Sequence, residues 1–216
     1  SALDHSINLL DTAPSYGFGH CEKIIGKALK GRRDQAVIAT KCGLWWQDRR
    51  GSPNGQKDGK DQYISLRADT IRIEVENSLR YLNTDYLDLL QVHKPAIPPE
   101  ETPIEETMAC LMELKQEGKI RAIGVCNVSL EQLQSYDSAG ELATNQFRYS
   151  MIHKDPELDI LPYCLENDIG SITFMSLEQG LLTGKINFER KFEDHDWRNN
   201  AGPVSYTHLT LPTSYA

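Results

Sequence analysis

The stretch Ile7-Asn8-Leu9-Leu10-Asp11-Thr12-Ala13-Pro14-Ser15-Tyr16-Gly17 decides the fold. Its first four residues, INLL, read as a short buried β-strand. Asp11 follows at once, and Tyr16 lies five residues further on in the same strand-end loop. The pattern recurs twice. VIAT (37–40) runs into Lys41, and LDLLQV (87–92) runs into His93. Each run is rich in branched residues, and an amphipathic, helix-like segment separates each from the next, which is the alternation of a parallel α/β sheet or barrel.

Outward from these runs the units can be followed along the chain. A helix is expected over about 19–29, with Ile24, Ile25, Ala28 and Leu29 as its apolar stripe and Gly31 as its end. A polar, glycine-bearing loop, 44–63, carries Trp45 and Trp46. It is too long for an ordinary connection and is expected either to shape a pocket or to lie on the surface with its tryptophans packed down. A helix over 66–82 precedes the third strand. Thr102-Pro103-Ile104-Glu105 reads as a capping box with proline at N1, opening a helix that ends at Glu117 and Gly118. Ala122 to Val125 is the fourth strand, ended by Asn127, and Ser129 to Gln132 repeats the capping pattern. A fifth strand is expected over 142–147, a helix over 157–167 and a sixth strand over 171–175, giving six strand–helix units with the last incomplete.

No internal linker marks a second domain, so one domain is expected over 1–202, with 203–216 as an unrelated tail. A (β/α)8 TIM barrel has eight strands and about 250 residues. The chain reads as an incomplete barrel holding about strands 2 to 7. A doubly wound sheet is the alternative, weakened because Gly17-Phe18-Gly19 lacks the third glycine of a dinucleotide fingerprint. Gly180 to Lys185 does not make a P-loop, having three residues between its glycines rather than four.

With 23 basic and 31 acidic residues the formal net charge is −8, which speaks against nucleic acid or anionic membrane as a partner. No apolar run is long enough to span a bilayer. The five cysteines form no CxxC pair and no metal-ligand spacing with the six histidines, so no metal is expected, and reduced thiols point to a cytoplasmic setting. Nothing in the sequence sets an oligomeric state.

In a barrel the carboxyl ends of the strands share one face, so Asp11, Lys41, His93, Asn127 and Gln146 would converge there. A plain structural role accounts for any one of them. Five on successive strands are harder to explain that way, because buried charge is costly unless paired or used.

At this point the motifs INLLDTAPSYG, VIATKCG, LLQVHKP, IGVCN and TNQFRYS, in that order, resemble the aldo-keto reductase family across about residues 2–185. The resemblance implies a (β/α)8 barrel that binds NADPH/NADP+ across its carboxyl face without a Rossmann domain, and a small carbonyl substrate. It implies a tetrad of Asp11, Tyr16, Lys41 and His93. Tyr16 would protonate the carbonyl oxygen as hydride arrives, and Lys41 would supply the cation that such a tyrosine needs, since a tyrosine ordinarily ionises near about pH 10. Asp11 would orient Lys41, and His93 would position the carbonyl. The same matching gives Asn127 and Gln146 to the nicotinamide carboxamide and Phe174 to the stacking position usually held by tyrosine. Leu177, Gly180 and Leu182 fall in the loop that passes the pyrophosphate, where Met175-Ser176 departs from the frequent Ser-Pro. The family's first strand is expected before Ser1 and its eighth after Asn200, so the preference for NADP over NAD rests on resemblance alone. Lys94 and the two tryptophans are expected to tune the substrate pocket. Two other readings follow from the same motifs: a nucleotide-binding regulatory barrel without turnover, and an inert fragment with exposed strand edges.

Overall fold

The computed structural model describes residues 2–186, 191–193 and 196, in two units, Ser1–Ser176 and Leu177–Ala216. In chain order the first unit runs β1 (Leu9–Asp11), α1 (His20–Ala28), β2 (Val37–Cys42), β3 (Leu44–Trp45), β4 (Ser52–Lys57), β5 (Lys60–Ile64) and α2 (Ala68–Leu82). It continues with β6 (Leu87–Val92), α3 (Ile104–Gln116), β7 (Ile120–Cys126), α4 (Leu130–Ala139), β8 (Thr144–Arg148), α5 (Ile160–Glu166) and β9 (Gly170–Phe174). The described part of the second unit holds a 3-10 segment, Glu178–Thr183, with Gln179 and Gly180 in left-handed conformations. The tail expected over 203–216 lies outside the described residues.

β1, β2, β6, β7, β8 and β9 form one sheet in that order, and every pair is parallel. The spatial order follows the chain order without reversal. A doubly wound sheet reverses at a switch point, whereas a (β/α)8 barrel does not. The sheet is thus six consecutive strands of an incomplete barrel.

Register fixes which side chains share a face. Paired residues of neighbouring parallel strands point the same way, and residues two apart on one strand share a side. Asp11 pairs with Ala39, Lys41 with Gln91, Gln91 with Gly124, and Gly124 with Thr144. Asp11, Lys41, Gln91, Thr144 and Gln146 therefore lie on one face, which is polar. The opposite parity supplies Ile38, Cys42, Leu90, Val92, Ile123 and Val125, all in the apolar core. That core sits between the sheet and its helices. α2 contributes Ile71, Val75, Leu79 and Leu82 at helical spacing, and α3 contributes Met108, Leu111 and Leu114. The division leaves the inner face free for chemistry.

The segment 44–63 is not the loop that its polar composition suggests. β3, β5 and β4 make a second, antiparallel sheet. Asp58 and Gly59, both with positive φ, form the two-residue turn between the paired Lys57 and Lys60, the geometry a I′ hairpin requires. Pro53 sits on β4, an edge of this sheet and the kind of strand that tolerates proline. The expected cap of α3 also differs. The helix begins at Ile104 with Pro103 as its N-cap and no side-chain cap, and Thr102 Oγ1 is buried without a partner. The Ser129 capping box is complete, with Gln132 N–H donating to Ser129 Oγ at 3.2 Å and Ser129 N–H to Gln132 Oε1 at 3.0 Å.

Candidate active site

β1 and β2 bring Asp11 and Lys41 together. Lys41 is 1% exposed, so its ammonium must find partners inside the protein. Lys41 Nζ donates to both carboxylate oxygens of Asp11 at 2.8 Å and to Thr12 O at 2.9 Å, which uses all three of its protons. Gln91 Nε2, level with Lys41 on β6, reaches Asp11 Oδ1 at 3.4 Å.

Tyr16 stands over this pair. Lys41 Nζ is 5.2 Å from the centre of its ring, and the His93 ring meets it edge-on at 5.8 Å and 82°. The tetrad expected from the sequence is assembled at one place. The His93 backbone is pinned from two sides, its N–H donating to Cys42 O at 2.9 Å and its carbonyl accepting from Asn127 Nδ2 at 3.0 Å. Burial, and then the positive charges of Lys41, Lys94 and Lys57, push the His93 imidazole down to about 3. At neutral pH the ring is uncharged, able to donate one hydrogen bond but not to act as a strong acid.

Behind β2, two buried carboxyls grip the residues flanking Lys41. Thr40 Oγ1 donates to Glu22 Oε1 at 2.7 Å, and Gly43 N–H donates to Glu74 Oε2 at 2.7 Å. Burial pushes Glu74 up to about 8, despite the Gly43 hydrogen bond, and the Glu22 charge adds to the rise. Burial also raises Glu22, against hydrogen bonds from Thr40 and Ser78.

The small sheet covers the loop that carries Tyr16. Phe18 meets Trp46 edge-on at 5.3 Å, Lys60 Nζ lies 4.4 Å from the Phe18 ring, and Lys57 Nζ donates to Ser15 O at 3.3 Å while standing 5.4 Å from the Tyr16 ring. It also holds the loop after β6. Ser52 Oγ donates to Ile97 O at 2.5 Å and accepts from Glu100 N–H at 2.8 Å, and Gly51 N–H donates to Glu100 Oε2 at 3.2 Å. Gln91 and Lys57 were not singled out by the sequence reading. Gln91 carried a signal, as a polar residue inside an apolar strand, whereas Lys57 carried none.

The candidate cofactor residues fall in two groups. Asn127, in a left-handed conformation, Gln146 on β8 and Phe174 at the end of β9 follow the same carboxyl edge of the sheet as the tetrad. Asn127 also joins the tetrad directly through the His93 carbonyl. Leu177, Gly180 and Leu182 belong to the second unit, where Gly180 N–H and Leu182 N–H both donate to Leu177 O, at 2.9 and 3.2 Å. Among the described residues no helix is long and apolar enough to cross a membrane, and no group of three or more His, Cys, Asp or Glu residues could hold a metal.

Residues 1–215 match the model of the aldo/keto reductase family. Over 204 residues the chain is 45% identical to the aldo-keto reductase YhdN of Bacillus subtilis (strain 168), covering 93% of this chain and 57% of that protein. Over 181 residues it is 46% identical to the NADH-specific methylglyoxal reductase of Escherichia coli (strain K12), covering 83% of this chain and 55% of that protein. Among solved structures it is similar to the glycerol dehydrogenase AKR11B4 from Gluconobacter oxydans, with a TM-score of 0.82 and 41% identity over 93% of this chain and 59% of that one. It is also similar to an aldo/keto reductase from Klebsiella pneumoniae in complex with NADP and acetate, with a TM-score of 0.68 and 30% identity over 93% of this chain and 62% of that one. The chain thus spans little more than half the length of the curated relatives it matches. A consecutive parallel sheet, an Asp–Lys ion pair beneath a tyrosine and a histidine, and these likenesses agree: the chain belongs to the aldo/keto reductase family.

Proposed function

We propose that this chain carries the catalytic strands of an NADPH-dependent reductase that converts an aldehyde or ketone to an alcohol, with Tyr16 as proton donor. The observation that carries the reading is the placing of Lys41: held by both oxygens of Asp11 at 2.8 Å and 5.2 Å from the Tyr16 ring. An ammonium fixed there stabilises negative charge on a tyrosine that has given up its proton. The neighbouring groups leave Tyr16 that task. His93 is uncharged at working pH, and all three Lys41 protons are engaged. The His93 N–H is suited to hold the carbonyl oxygen beside the tyrosine hydroxyl, and the spent phenolate would be reprotonated from solvent.

The residues at the nicotinamide end fit such a cofactor. Asn127 spends its Nδ2 on His93 O and Cys126 Sγ, and its Oδ1 has no protein partner among the described residues, which leaves an exposed acceptor for a carboxamide N–H. Gln146 would be its companion, and Phe174 would offer an aromatic face. A bound reduced nicotinamide supplies the hydride. Leu177, Gly180 and Leu182 are the residues proposed to follow the pyrophosphate. The choice of NADPH follows the family pattern and the Klebsiella relative's NADP complex, against the NADH named for the Escherichia coli relative. The five free cysteines fit a reducing, cytoplasmic setting.

Loss of reduced-nicotinamide absorbance, followed with a panel of small aldehydes in this chain and in a version extended to the full eight-stranded barrel, tests the reading. NADPH and NADH are supplied in parallel. Tyr16→Phe is expected to lower turnover by at least about a hundredfold while nucleotide binding, read by tryptophan fluorescence, is retained. Retained turnover in Tyr16→Phe removes the assigned role. Nucleotide binding without turnover in the extended wild type favours a regulatory barrel instead.

A further inference from the structure

β4 carries two ammonium groups to the rim of the carbonyl site. Lys57 is on β4 itself, with Nζ 5.4 Å from the Tyr16 ring and hydrogen-bonded to Ser15 O. Lys94, next to His93, is tied to the same strand by Nζ donating to Asn54 Oδ1 at 3.3 Å. Both side chains are half-buried. Neither has a carboxylate partner among the described residues. Elsewhere among the described residues several partly buried cations are paired, Arg33 with Asp88, Arg72 with Glu113 and Glu117, Lys119 with Glu76 and Glu117, while Arg32 donates to Ala28 O alone.

The contrast has weight because acids outnumber bases by 31 to 23 in this protein. A partly desolvated lysine could readily have been given an acid, and Asp61, nearby on β5, instead accepts from Gln56 at 2.7 Å. The charges of Lys57 and Lys94 fall on the catalytic centre, since both depress the His93 imidazole. Lys41, whose effect on His93 is the larger, is held by Asp11, whereas Lys57 and Lys94 add positive charge that no ion pair offsets. Lys60, over the Phe18 ring, adds to it further out. Positive potential focused in a cleft raises the local concentration of anions and speeds their capture.

We propose that Lys57 and Lys94 form a cationic rim that selects carbonyl substrates which also bear a carboxylate. The proposal rests on the reductase reading of the tetrad and names its substrate class. The reacting carbonyl sits between Tyr16 and His93 while the carboxylate, a few bonds away, meets the two ammoniums against β4. The lysines bind the anion and do not enter the proton transfer.

The test compares 3-carboxybenzaldehyde with its methyl ester in the version extended to the full eight-stranded barrel. The two present nearly the same aldehyde and differ by one charge. At low salt the acid is expected to exceed the ester in kcat/KM by about tenfold, from two partly exposed charge pairs each worth up to roughly fivefold. The advantage lies mainly in KM and shrinks as salt is raised. In the double variant Lys57→Gln, Lys94→Gln the acid-to-ester ratio falls to near one. Glutamine removes the charge but can still donate to Ser15 O and Asn54 Oδ1, so the Tyr16 loop keeps its support. An ester reduced as well as the acid by an active enzyme overturns the rim and leaves the reductase reading intact.

Turnover of neither aldehyde overturns the reductase reading, and calorimetry then decides the rim separately. Benzoate binding more tightly than benzamide, with the difference abolished in the double variant, sustains an anion site at Lys57 and Lys94. Equal binding of the two, or a preference untouched by the double variant, overturns it.

Discussion

The central strands of the parallel sheet and its two outermost strands live in different surroundings. In β2, every residue after Val37 is buried, and in β6 only Asp88 is not fully so. β1 and β9 have no fully buried residue. Around the outer strands Ile7 is 60% exposed, Leu165 82% and Leu158 84%. A parallel strand is stable when covered on both faces, by helices outside and by neighbouring side chains inside. Lys41 and the residues gripping it sit where that cover is complete, whereas Asp11 reaches in from an edge strand and is secured by the ion pair instead.

Truncation of core leucines is the strongest way to break this contrast. Leu90→Ala in β6 is expected to cost about 3 kcal/mol, while Leu165→Ala in α5 changes stability by less than about 0.5 kcal/mol, both read from urea unfolding midpoints. Equal costs would mean that the outer region is covered in solution.

A second test uses two glycines at neighbouring heights on the inner face. A Cβ at Gly124 would lie 2.3 Å from Thr144 Oγ1 and 2.9 Å from Gln91 Cγ, whereas at Gly170 the nearest atom is Ala143 O at 3.3 Å. Gly124→Ala should lose about 1–3 kcal/mol, and Gly170→Ala much less. Pairing Gly124→Ala with Thr144→Ala should recover part of the loss in thermal unfolding, because the closer obstacle is gone.

A pH dependence tests the cost of close cover. Glu74, pushed up to about 8 by burial, keeps its proton in the folded chain and loses it near 4.5 when unfolded. The folded state therefore binds the extra proton between those values, and the stability present below about pH 4.5 declines as pH rises toward 8. Glu74→Gln can still accept from Gly43 N–H and should flatten that decline. Urea midpoints at the two ends of the window measure it, and an unchanged slope would assign the pH dependence to other groups.

Much of this architecture is legible in the chain because it depends on local patterns. The runs INLL, VIAT and LDLLQV are too branched and apolar to be surface segments, and each ends in a polar group, so the strands and the clustering of Asp11, Tyr16, Lys41 and His93 could be read together. What escaped depends on pairing between distant residues. Ser52 to Lys57 has no alternating apolar face, and its strand character comes from pairing with β5. Asp58-Gly59 was the one local sign of a hairpin there. The start of α3 slipped by one residue because Thr102, suited to capping by type, is turned into the interior. The place of Lys57 beside Tyr16 follows from that missed hairpin.

The small sheet also decides how separable the reaction is from its substrate. One insertion touches the Tyr16 loop through Lys57 and Trp46 and buckles down the loop after His93 through Ser52, Gly51 and Glu100. Exchanging it for another loop would not be a modular graft. Replacing the whole insertion also retensions the two loops that hold Tyr16 and His93, so selectivity can be altered alone only by side-chain changes that leave those bonds in place.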